Sequence, residues 1–181
     1  MCYKKDYDYI EYDEYLDNEK GTGMVTEYSD GVIFYNPPNH IKHNRLTRKL
    51  HSIFYANNGR NLNECLMVFM NNVSVTFEVS GAIKHQFYPD IVIKGAKDRN
   101  ILIVEVLSRA TKERDLGLKL DVYEKFEVGE YWIVDISKGI ITVYSDNYHR
   151  MYCEKRIYFI GDCIKWNNCH IHVEDLFAAI N

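Results

Sequence analysis

The amino-acid sequence predicts a mixed α/β fold, with residues 1–181 forming a single domain in which helices flank a buried central sheet. The stretch from Ile101 to Leu107 is almost wholly apolar, as is typical of a central strand covered on both faces. A helical pattern from Thr111 to Gly129 and a second apolar strand from Glu130 to Ile136 complete a strand, helix, strand unit. A chain of 181 residues can bury a sizeable core without disulfides or metal.

The N-terminal part of the chain contains two predicted helices and a hairpin. Residues Asp8 to Asn18 form a weakly amphipathic helix. Asp30-Gly31, followed by the β-rich run from Val32 to Tyr35, predicts a hairpin. After two prolines, a helical period of apolar residues continues to the sequence Asn57-Asn58-Gly59, which ends the second helix.

The rest of the chain is predicted to be mainly strands. Two short strands follow, Cys65 to Met70 and Ser74 to Val79, and a third is led by Pro89-Asp90. After the central unit, Ile140 to Tyr144 pairs with the preceding strand. Two more short strands and an amphipathic helix from Val173 complete the prediction.

Charge and composition exclude several classes of protein. The net charge is −4, so any contact with nucleic acid must come from a local basic patch rather than from the field of the whole molecule. No apolar run approaches the ~18 residues of a membrane span, and the acidic N-terminus does not resemble a signal peptide. The five cysteines include no C-x-x-C pair. We therefore expect a reduced, soluble, cytoplasmic protein that makes no contact with a membrane.

Two cysteines and two histidines lie close together near the C-terminus, at Cys163, Cys169, His170 and His172. They allow two interpretations, a zinc site or a strand or turn with alternating side chains. Because no standard spacing of zinc ligands is present, the sequence favours the strand or turn.

A single acid, Glu105, interrupts the apolar strand from Ile101 to Leu107. Burying an unpaired carboxylate is costly, so we expect a compensating partner. Asp90 begins the strand that is expected to lie beside it, and the two carboxylates can meet at one end of the sheet. Two acids repel unless a cation lies between them, and oxygen ligands of this kind suit Mg²⁺ or Mn²⁺.

The helix after Glu105 adds a cation. Asp115, Lys119 and Tyr123 are spaced four residues apart and share one stripe of a helix. This helix packs back across the Glu105 strand, so the Lys119 ammonium can offset the charge of a phosphate or hold an attacking water. Asp115 either orients Lys119 or simply lies near the positive helix N-terminus, and Tyr123 either hydrogen-bonds to this pair or packs in the core.

Several motifs now form a recognisable set: Pro89-Asp90, Glu105-Val106-Leu107-Ser108, Asp115-x-x-x-Lys119-x-x-x-Tyr123 and Gly129-Glu130-Tyr131-Trp132-Ile133-Val134-Asp135. Together with the Asp-Gly hairpin, the Pro-Pro pair before His43 and the closing Val-Glu-Asp-Leu-Phe segment, they span nearly the whole chain. The set resembles the Uma2 family of putative restriction endonucleases, which belongs to the PD-(D/E)XK nuclease superfamily. The resemblance implies a restriction-endonuclease-like core with a central mixed β-sheet flanked by helices.

The resemblance also implies a function. The chain would be a Mg²⁺- or Mn²⁺-dependent endonuclease that hydrolyses DNA and leaves 5′-phosphate and 3′-hydroxyl ends, and a homodimer is expected because such enzymes often pair to cut both strands. Asp90, Glu105 and the backbone carbonyl of Val106 would hold the metal. In the usual motif of the superfamily a lysine stands where this chain has Leu107, and Lys119 is then the migrated catalytic lysine.

Two further residues are candidates for accessory roles. His43 can contact the metal site or a substrate phosphate, as the matching histidine of the family suggests, or it is a satisfied histidine of the core. Glu78 lies in a strand before Asp90 and can reach the metal as an extra acid, although acids in strands usually face solvent.

Basic residues on one predicted helix and around the start of another form a candidate phosphate patch: Lys42, Arg45, Arg109, Lys112 and Arg114. The alternative is an ordinary solvated helix face, because charged faces are normal on helices.

Two other functions compete with the DNA endonuclease. One is a non-catalytic module that binds DNA or protein and retains the nuclease fold, which Leu107 and the acidic net charge favour. The other is a metal-dependent hydrolase of a small phosphate compound, which explains the acids equally well, although the chain has no glycine-rich phosphate loop.

Overall fold

A computed structural model of the chain describes residues 9–22, 25–58, 66–71 and 73–180. The helices within these ranges are α1 (Tyr12–Thr22), α2 (Ile41–Asn58), α3 (Lys112–Leu116), α4 (Leu118–Lys125) and α5 (Val173–Ala178). The strands are β1 (Thr26–Ser29), β2 (Val32–Tyr35), β3 (Met67–Met70), β4 (Val75–Val79), β5 (Ala82–Phe87), β6 (Ile91–Lys94), β7 (Asn100–Val106), β8 (Glu130–Asp135), β9 (Ile140–Tyr148), β10 (Met151–Tyr158), β11 (Cys163–Trp166) and β12 (Cys169–His172). The predicted α/β class with a central mixed sheet is confirmed.

The chain divides into two compact units, one formed by Met1–Pro37 and Ser74–Tyr88 and the other by Pro38–Val73 and Pro89–Asn181. The single domain over residues 1–181 stays a prediction.

The first unit contains α1 and a four-stranded sheet in the order β2-β1-β5-β4. Asp30 and Gly31 have φ angles of 44° and 86°, which is the left-handed geometry of a tight two-residue hairpin turn. The predicted hairpin is confirmed by the pairing of β1 with β2. The first helix spans Tyr12–Thr22 and thus begins later than predicted, while Asp8 lies outside the described residues.

Strand β5 was not predicted from the sequence. This strand pairs with β4 through a turn in which Ser80 and Gly81 both have positive φ, and it also pairs with β1. Its sequence is Ala-Ile-Lys-His-Gln-Phe, and the polar side chains in it obscure a strand pattern. The strand therefore owes its formation to two neighbouring strands rather than to local propensity.

The second unit is built on a six-stranded sheet in the order β10-β9-β8-β7-β6-β3. Strands β7 and β8 are parallel, and every other neighbouring pair in this sheet is antiparallel. Strand β7 occupies an interior position, and its last five residues are all buried, as its apolar sequence predicted.

The two faces of β7 have different environments. Leu102, Val104 and Val106 belong to the main apolar core, together with residues of α2, α5 and the β11–β12 hairpin. The alternate residue Glu105 belongs to the opposite face, because successive side chains of a strand alternate. On that face Glu105 contacts Tyr123 of α4.

The helix predicted from Thr111 to Gly129 is two helices. Gly117 separates α3 from α4 with φ −120° and ψ −92°, outside the helical region. The second helix ends at Lys125 rather than at Gly129, and Glu127 has a positive φ of 57°. Gly129 has another role, because a Cβ atom there would lie 2.6 Å from the backbone oxygen of Ile101.

The cysteine- and histidine-containing segment forms the β11–β12 hairpin. Cys163 pairs with His172 and Trp166 with Cys169, and side chains alternate between a buried and an exposed face. This confirms the strand interpretation. Within the described residues no group of three or more His, Cys, Asp or Glu side chains is arranged to hold a metal ion.

The sequence also predicted reduced cysteines and no membrane-spanning segment. Cys153, Cys163 and Cys169 are free thiols, while Cys2 and Cys65 lie outside the described residues, as do Gly59 and Asn72. Among the described helices, none is both long and apolar enough to span a membrane. The cytoplasmic location stays a prediction.

Candidate active site

Asp90 lies directly before β6, at the edge of its pair with β7. The last register pair is Ile91 with Val104, so continuing this register by one residue places Asp90 opposite Glu105. Oδ2 of Asp90 accepts a hydrogen bond of 2.8 Å from the backbone N–H of Val106. The two strands thereby bring Asp90 and Glu105 to neighbouring positions, and both residues are buried.

His43 reaches Asp90 from the first turns of α2. Its Nε2 atom lies 3.1 Å from Oδ2 of Asp90, and its side chain is almost fully buried. A carboxylate can only accept hydrogen bonds, so Nε2 carries the hydrogen. The other ring nitrogen, Nδ1, has no hydrogen-bond partner within the described residues.

The environment of His43 raises its pKa above 6.5. Burial lowers the pKa, but the hydrogen bond to Asp90, the negative charge of that carboxylate and the nearby carbonyl of Val106 together outweigh burial. His43 therefore contacts Asp90, a predicted metal ligand, and is also a buried, hydrogen-bonded histidine, so both interpretations stay open. Whether it also contacts substrate stays a prediction.

Lys119 contacts Glu105 from helix α4. Its Nζ atom is 2.8 Å from Oε1 of Glu105 and 3.3 Å from Oδ1 of Asp115. The hydroxyl of Tyr123 donates to the same Glu105 oxygen over 3.3 Å. The stripe predicted from the four-residue spacing is therefore formed, although Gly117 interrupts the helix within it.

Tyr131 supports this buried group from strand β8. Its hydroxyl donates a hydrogen bond of 2.9 Å to the backbone carbonyl of Asp115, and its ring packs edge-on against Tyr123. Burial raises the pKa of Tyr131 well above 10.0, and the charges of Glu105 and Asp115 raise it further. The hydroxyl thus stays protonated and remains a donor.

The donor set at Asp90 and Glu105 fits a hard divalent cation. Two carboxylates and the carbonyl of Val106 are oxygen donors, and Mg²⁺ is commonly bound by one or two carboxylates while it retains several waters. Oδ2 of Asp90 contacts the backbone N–H of Val106 and the His43 ring. Oδ1 of Asp90 accepts no hydrogen bond from the described residues. This partial set suits Mg²⁺ or Mn²⁺ better than a four-ligand zinc site.

A cavity of about 540 Å³ lies beside His43, at the carboxyl ends of the parallel strands β7 and β8. Its lining consists of His40, Lys42, His43, Leu107, Ser108, Arg109, Lys112, Asp135, Ile136 and Ser137. Three of the five residues of the predicted phosphate patch, Lys42, Arg109 and Lys112, are therefore gathered at one cavity. Crevices at the carboxyl ends of parallel strands are common ligand sites.

Asp135 holds one of these cations in place. Its Oδ2 atom lies 3.3 Å from Nζ of Lys112, and its Oδ1 atom accepts hydrogen bonds from the backbone N–H groups of Ser137 and Lys138. Burial raises the pKa of Asp135, but the hydrogen bonds from Ser137 and Lys112 and the charge of Lys112 lower it below 3.8 overall. Asp135 therefore forms the turn after β8, and its contact with Lys112 was not predicted from the sequence.

Other predicted site residues lie elsewhere. Arg45 is exposed on α2 and Arg114 is half-buried in α3, and neither lines the cavity. Glu78 is exposed on β4 in the first unit, and its role as an extra acid stays a prediction. The contact between Lys112 and Asp135 joins residues 23 positions apart, so no local spacing could have indicated it.

Comparisons with known proteins give a family and a fold. The model of the family described as Uma2, putative restriction endonuclease, matches residues 11–164. A crystal structure described as a putative nuclease belonging to DUF820, from Anabaena variabilis, is similar with a TM-score of 0.76 and 17% sequence identity, covering 95% of this chain and 99% of that one. Among curated proteins, none matches the chain. The structural similarity shows that the two proteins share a fold.

Proposed function

Because the chain belongs to the Uma2 family of putative restriction endonucleases, we propose that it is a Mg²⁺- or Mn²⁺-dependent endonuclease that hydrolyses phosphodiester bonds in DNA. The observation that carries this proposal is the 2.8 Å contact between the Lys119 ammonium and Glu105, with Asp90 at the neighbouring register position directly before β6. An amine, two carboxylates and a nearby cationic cavity are the parts that phosphodiester hydrolysis requires.

The cation would be held by Asp90, Glu105 and the backbone carbonyl of Val106. When bound, a divalent cation polarises a phosphodiester oxygen and lowers the pKa of a bound water. Asp90 is fixed for this role by the N–H of Val106 and by His43, so its carboxylate does not need to reorient. Orienting partners of this kind commonly contribute 10- to 100-fold to metal affinity or activity, by the usual order of magnitude.

Lys119 is proposed to offset negative charge on the phosphate or to orient the attacking water. Asp115 and Glu105 hold its ammonium between two carboxylates, which fixes its position. Tyr123 donates to the same Glu105 oxygen and so restrains the carboxylate. Lys42, Arg109 and Lys112 at the cavity would neutralise phosphates of the substrate, since phosphate contacts supply most of the sequence-independent affinity for DNA.

A second candidate is a non-catalytic module that retains the fold. The Lys119 side chain is only 3% exposed, and Leu107 lines the cavity where the usual motif has a lysine. An amine this deeply buried reaches a phosphate only if the metal site opens towards it. This candidate predicts DNA binding without cleavage.

Cleavage assays separate these candidates from each other. Plasmid and single-stranded DNA are incubated with Mg²⁺ or Mn²⁺ and with the wild type, Asp90→Ala and Glu105→Ala, and chelation of the metal serves as a further arm. We expect both variants, and removal of the metal, to lower the rate at least about 100-fold. Asp121→Asn, which changes an exposed carboxylate of α4, is the matched control. Equal cleavage by the wild type and both variants would reject the proposed site.

Calorimetric titration with Mn²⁺ tests the metal site without requiring turnover. Binding that Glu105→Gln abolishes supports a working site, whereas no binding by the wild type supports the module. A parallel assay with bis-p-nitrophenyl phosphate tests for a hydrolase of small phosphates, and a strong preference for that compound over DNA would favour it. Light scattering measures the oligomeric state, for which we propose a homodimer.

A further inference from the structure

The cavity at the carboxyl ends of β7 and β8 is larger than a phosphate group requires. Its volume is about 540 Å³, within the range of roughly 300–1,000 Å³ that is typical of pockets for small organic ligands. The loop after β7 supplies Ser108 and Arg109, and the turn after β8 supplies Ile136 and Ser137. A ligand there would contact the loop after β7 and the turn after β8, and both are held in place by the paired parallel strands.

The lining combines cations with apolar side chains. Lys42, Arg109 and Lys112 carry positive charge, whereas Leu107 and Ile136 present apolar surface to the same space. A bare phosphate would leave the apolar surface in water, and an uncharged ring compound would leave the cations unused. A ligand with a phosphate and a flat apolar ring, which is the chemistry of a nucleotide, satisfies both kinds of residue.

One of the cations is held in advance of binding. The ammonium of Lys112 lies 3.3 Å from Asp135, which is itself fixed by the backbone N–H groups of Ser137 and Lys138. The Lys112 side chain remains 39% exposed, so it can still contact an anion. Binding therefore loses less side-chain entropy than it would with a freely moving lysine.

The cavity and the candidate metal site share His43. This side chain lines the cavity and lies 3.1 Å from the Asp90 carboxylate. A nucleotide in the cavity would thus lie beside the histidine that contacts Asp90.

We propose that this cavity binds one unpaired nucleotide of the DNA substrate, with the phosphate at Lys112 and its cationic neighbours and the base against Leu107 and Ile136. The identification of the polymer as DNA rests on the proposed function, whereas the binding of a nucleotide does not. A base inside a duplex is stacked and paired, and moving it into a pocket costs free energy. The protein would therefore act faster on single-stranded or frayed DNA than on a fully paired duplex.

The first experiment measures binding without divalent cations, so it does not depend on cleavage. NMR titrations compare dAMP, deoxyadenosine and inorganic phosphate on the wild-type protein. We expect dAMP to bind at least about tenfold more tightly than either fragment, since each uses only part of the lining. A single-stranded oligonucleotide should compete with dAMP for the same residues.

Two variants and a control locate the site. Lys112→Gln removes the held cation and Ile136→Trp fills the cavity, and each should weaken dAMP binding about tenfold. Lys138→Gln makes the same charge change on the adjacent turn, on an exposed side chain that does not line the cavity, and should leave binding unchanged. A thermal unfolding transition shows whether each variant is folded. If a variant is unfolded, the comparison of dAMP, deoxyadenosine and phosphate on the wild-type protein still tests the proposal.

Four results would overturn the inference or a part of it. Phosphate binding as tightly as dAMP would show a simple anion site, and equal binding by Lys112→Gln and Ile136→Trp would place the nucleotide elsewhere. Binding of dAMP without competition from the oligonucleotide would indicate a site for free nucleotides. If dAMP and the oligonucleotide bind as expected but no DNA is cleaved, the pocket stands and the nuclease proposal fails. If DNA is cleaved, equal rates on frayed and fully paired duplexes would contradict the unpaired-nucleotide mode.

Discussion

The ammonium of Lys119 lies 2.8 Å from Oε1 of Glu105, and the two side chains are only 3% and 6% exposed. Such a pair contributes little net stability, because desolvation of both charges offsets their attraction. Breaking it is costly, since the remaining charge stays buried without its partner.

This relationship predicts a strong non-additive effect on folding. Lys119→Met should lower the free energy of unfolding by about 3–5 kcal/mol, because it leaves the Glu105 and Asp115 carboxylates facing each other. Combining it with Glu105→Gln should cost less than the sum of the two single variants, with a coupling of about 1–3 kcal/mol. Urea denaturation measures each value, and Lys125→Met, on the exposed side of α4, is the control. Strict additivity would contradict the pairing.

The contact between His43 and Asp90 predicts a pH dependence. The folded-state pKa of His43 lies above 6.5, so protonated His43 stabilises the fold fully below pH 6.5, and this contribution is lost as the pH rises through the folded pKa. Asp90→Asn removes the negative charge and should lower the pKa of His43. NMR titration of the His43 ring in the wild type and in Asp90→Asn measures both values. An unchanged pKa in Asp90→Asn would exclude the carboxylate as the cause.

Asp135 predicts a change of opposite sign at acid pH. The folded-state pKa of Asp135 lies below 3.8, so its ionised form stabilises the fold above pH 3.8, and this contribution is lost as the pH falls through the folded pKa. Asp135→Asn should lower the free energy of unfolding by about 1–3 kcal/mol at pH 7, since its hydrogen bonds involve a charged group. The difference in the free energy of unfolding between Asp135→Asn and the wild type should shrink at a pH below the folded pKa. Urea denaturation at pH 7 and at that lower pH measures this difference. A difference that grows on acidification would contradict this assignment.

Gly129 and Gly21 predict opposite effects of the same substitution. Gly129→Ala would place a Cβ atom 2.6 Å from the backbone oxygen of Ile101 and should destabilise the fold by about 1–3 kcal/mol. Gly21 lies in α1, where a Cβ atom would meet no neighbouring side chain within 4 Å, so Gly21→Ala should stabilise the protein by up to about 1 kcal/mol. Thermal denaturation of both variants provides the comparison. Equal effects would show that the close approach at Gly129 relaxes without cost.

Several features of this protein are visible in the sequence because they depend on neighbouring residues. The Asp30-Gly31 turn needs two residues with positive φ, and that requirement is local. The apolar run of β7 signals burial on both faces, and its one acid identifies Glu105 as a site candidate. The four-residue spacing of Asp115, Lys119 and Tyr123 places them together even though Gly117 breaks the helix.

Other features depend on strand pairing and on packing between elements distant in the chain. Strand β5 forms because β1 and β4 supply its hydrogen bonds, although its own residues are largely polar. The contacts of His43 with Asp90 and of Lys112 with Asp135 join different elements and follow from no local period.

One physical reason explains which features the sequence predicts and which only the tertiary structure shows. Turn geometry, strand burial and helical spacing are decided by residues within a few positions, so the sequence by itself determined the α/β class and the candidates Asp90, Glu105 and Lys119. The partner of each charge and the cavity beside His43 exist only where the carboxyl ends of β7 and β8 meet α2. Only the tertiary structure decided those, because they arise from chain segments that fold together across long separations.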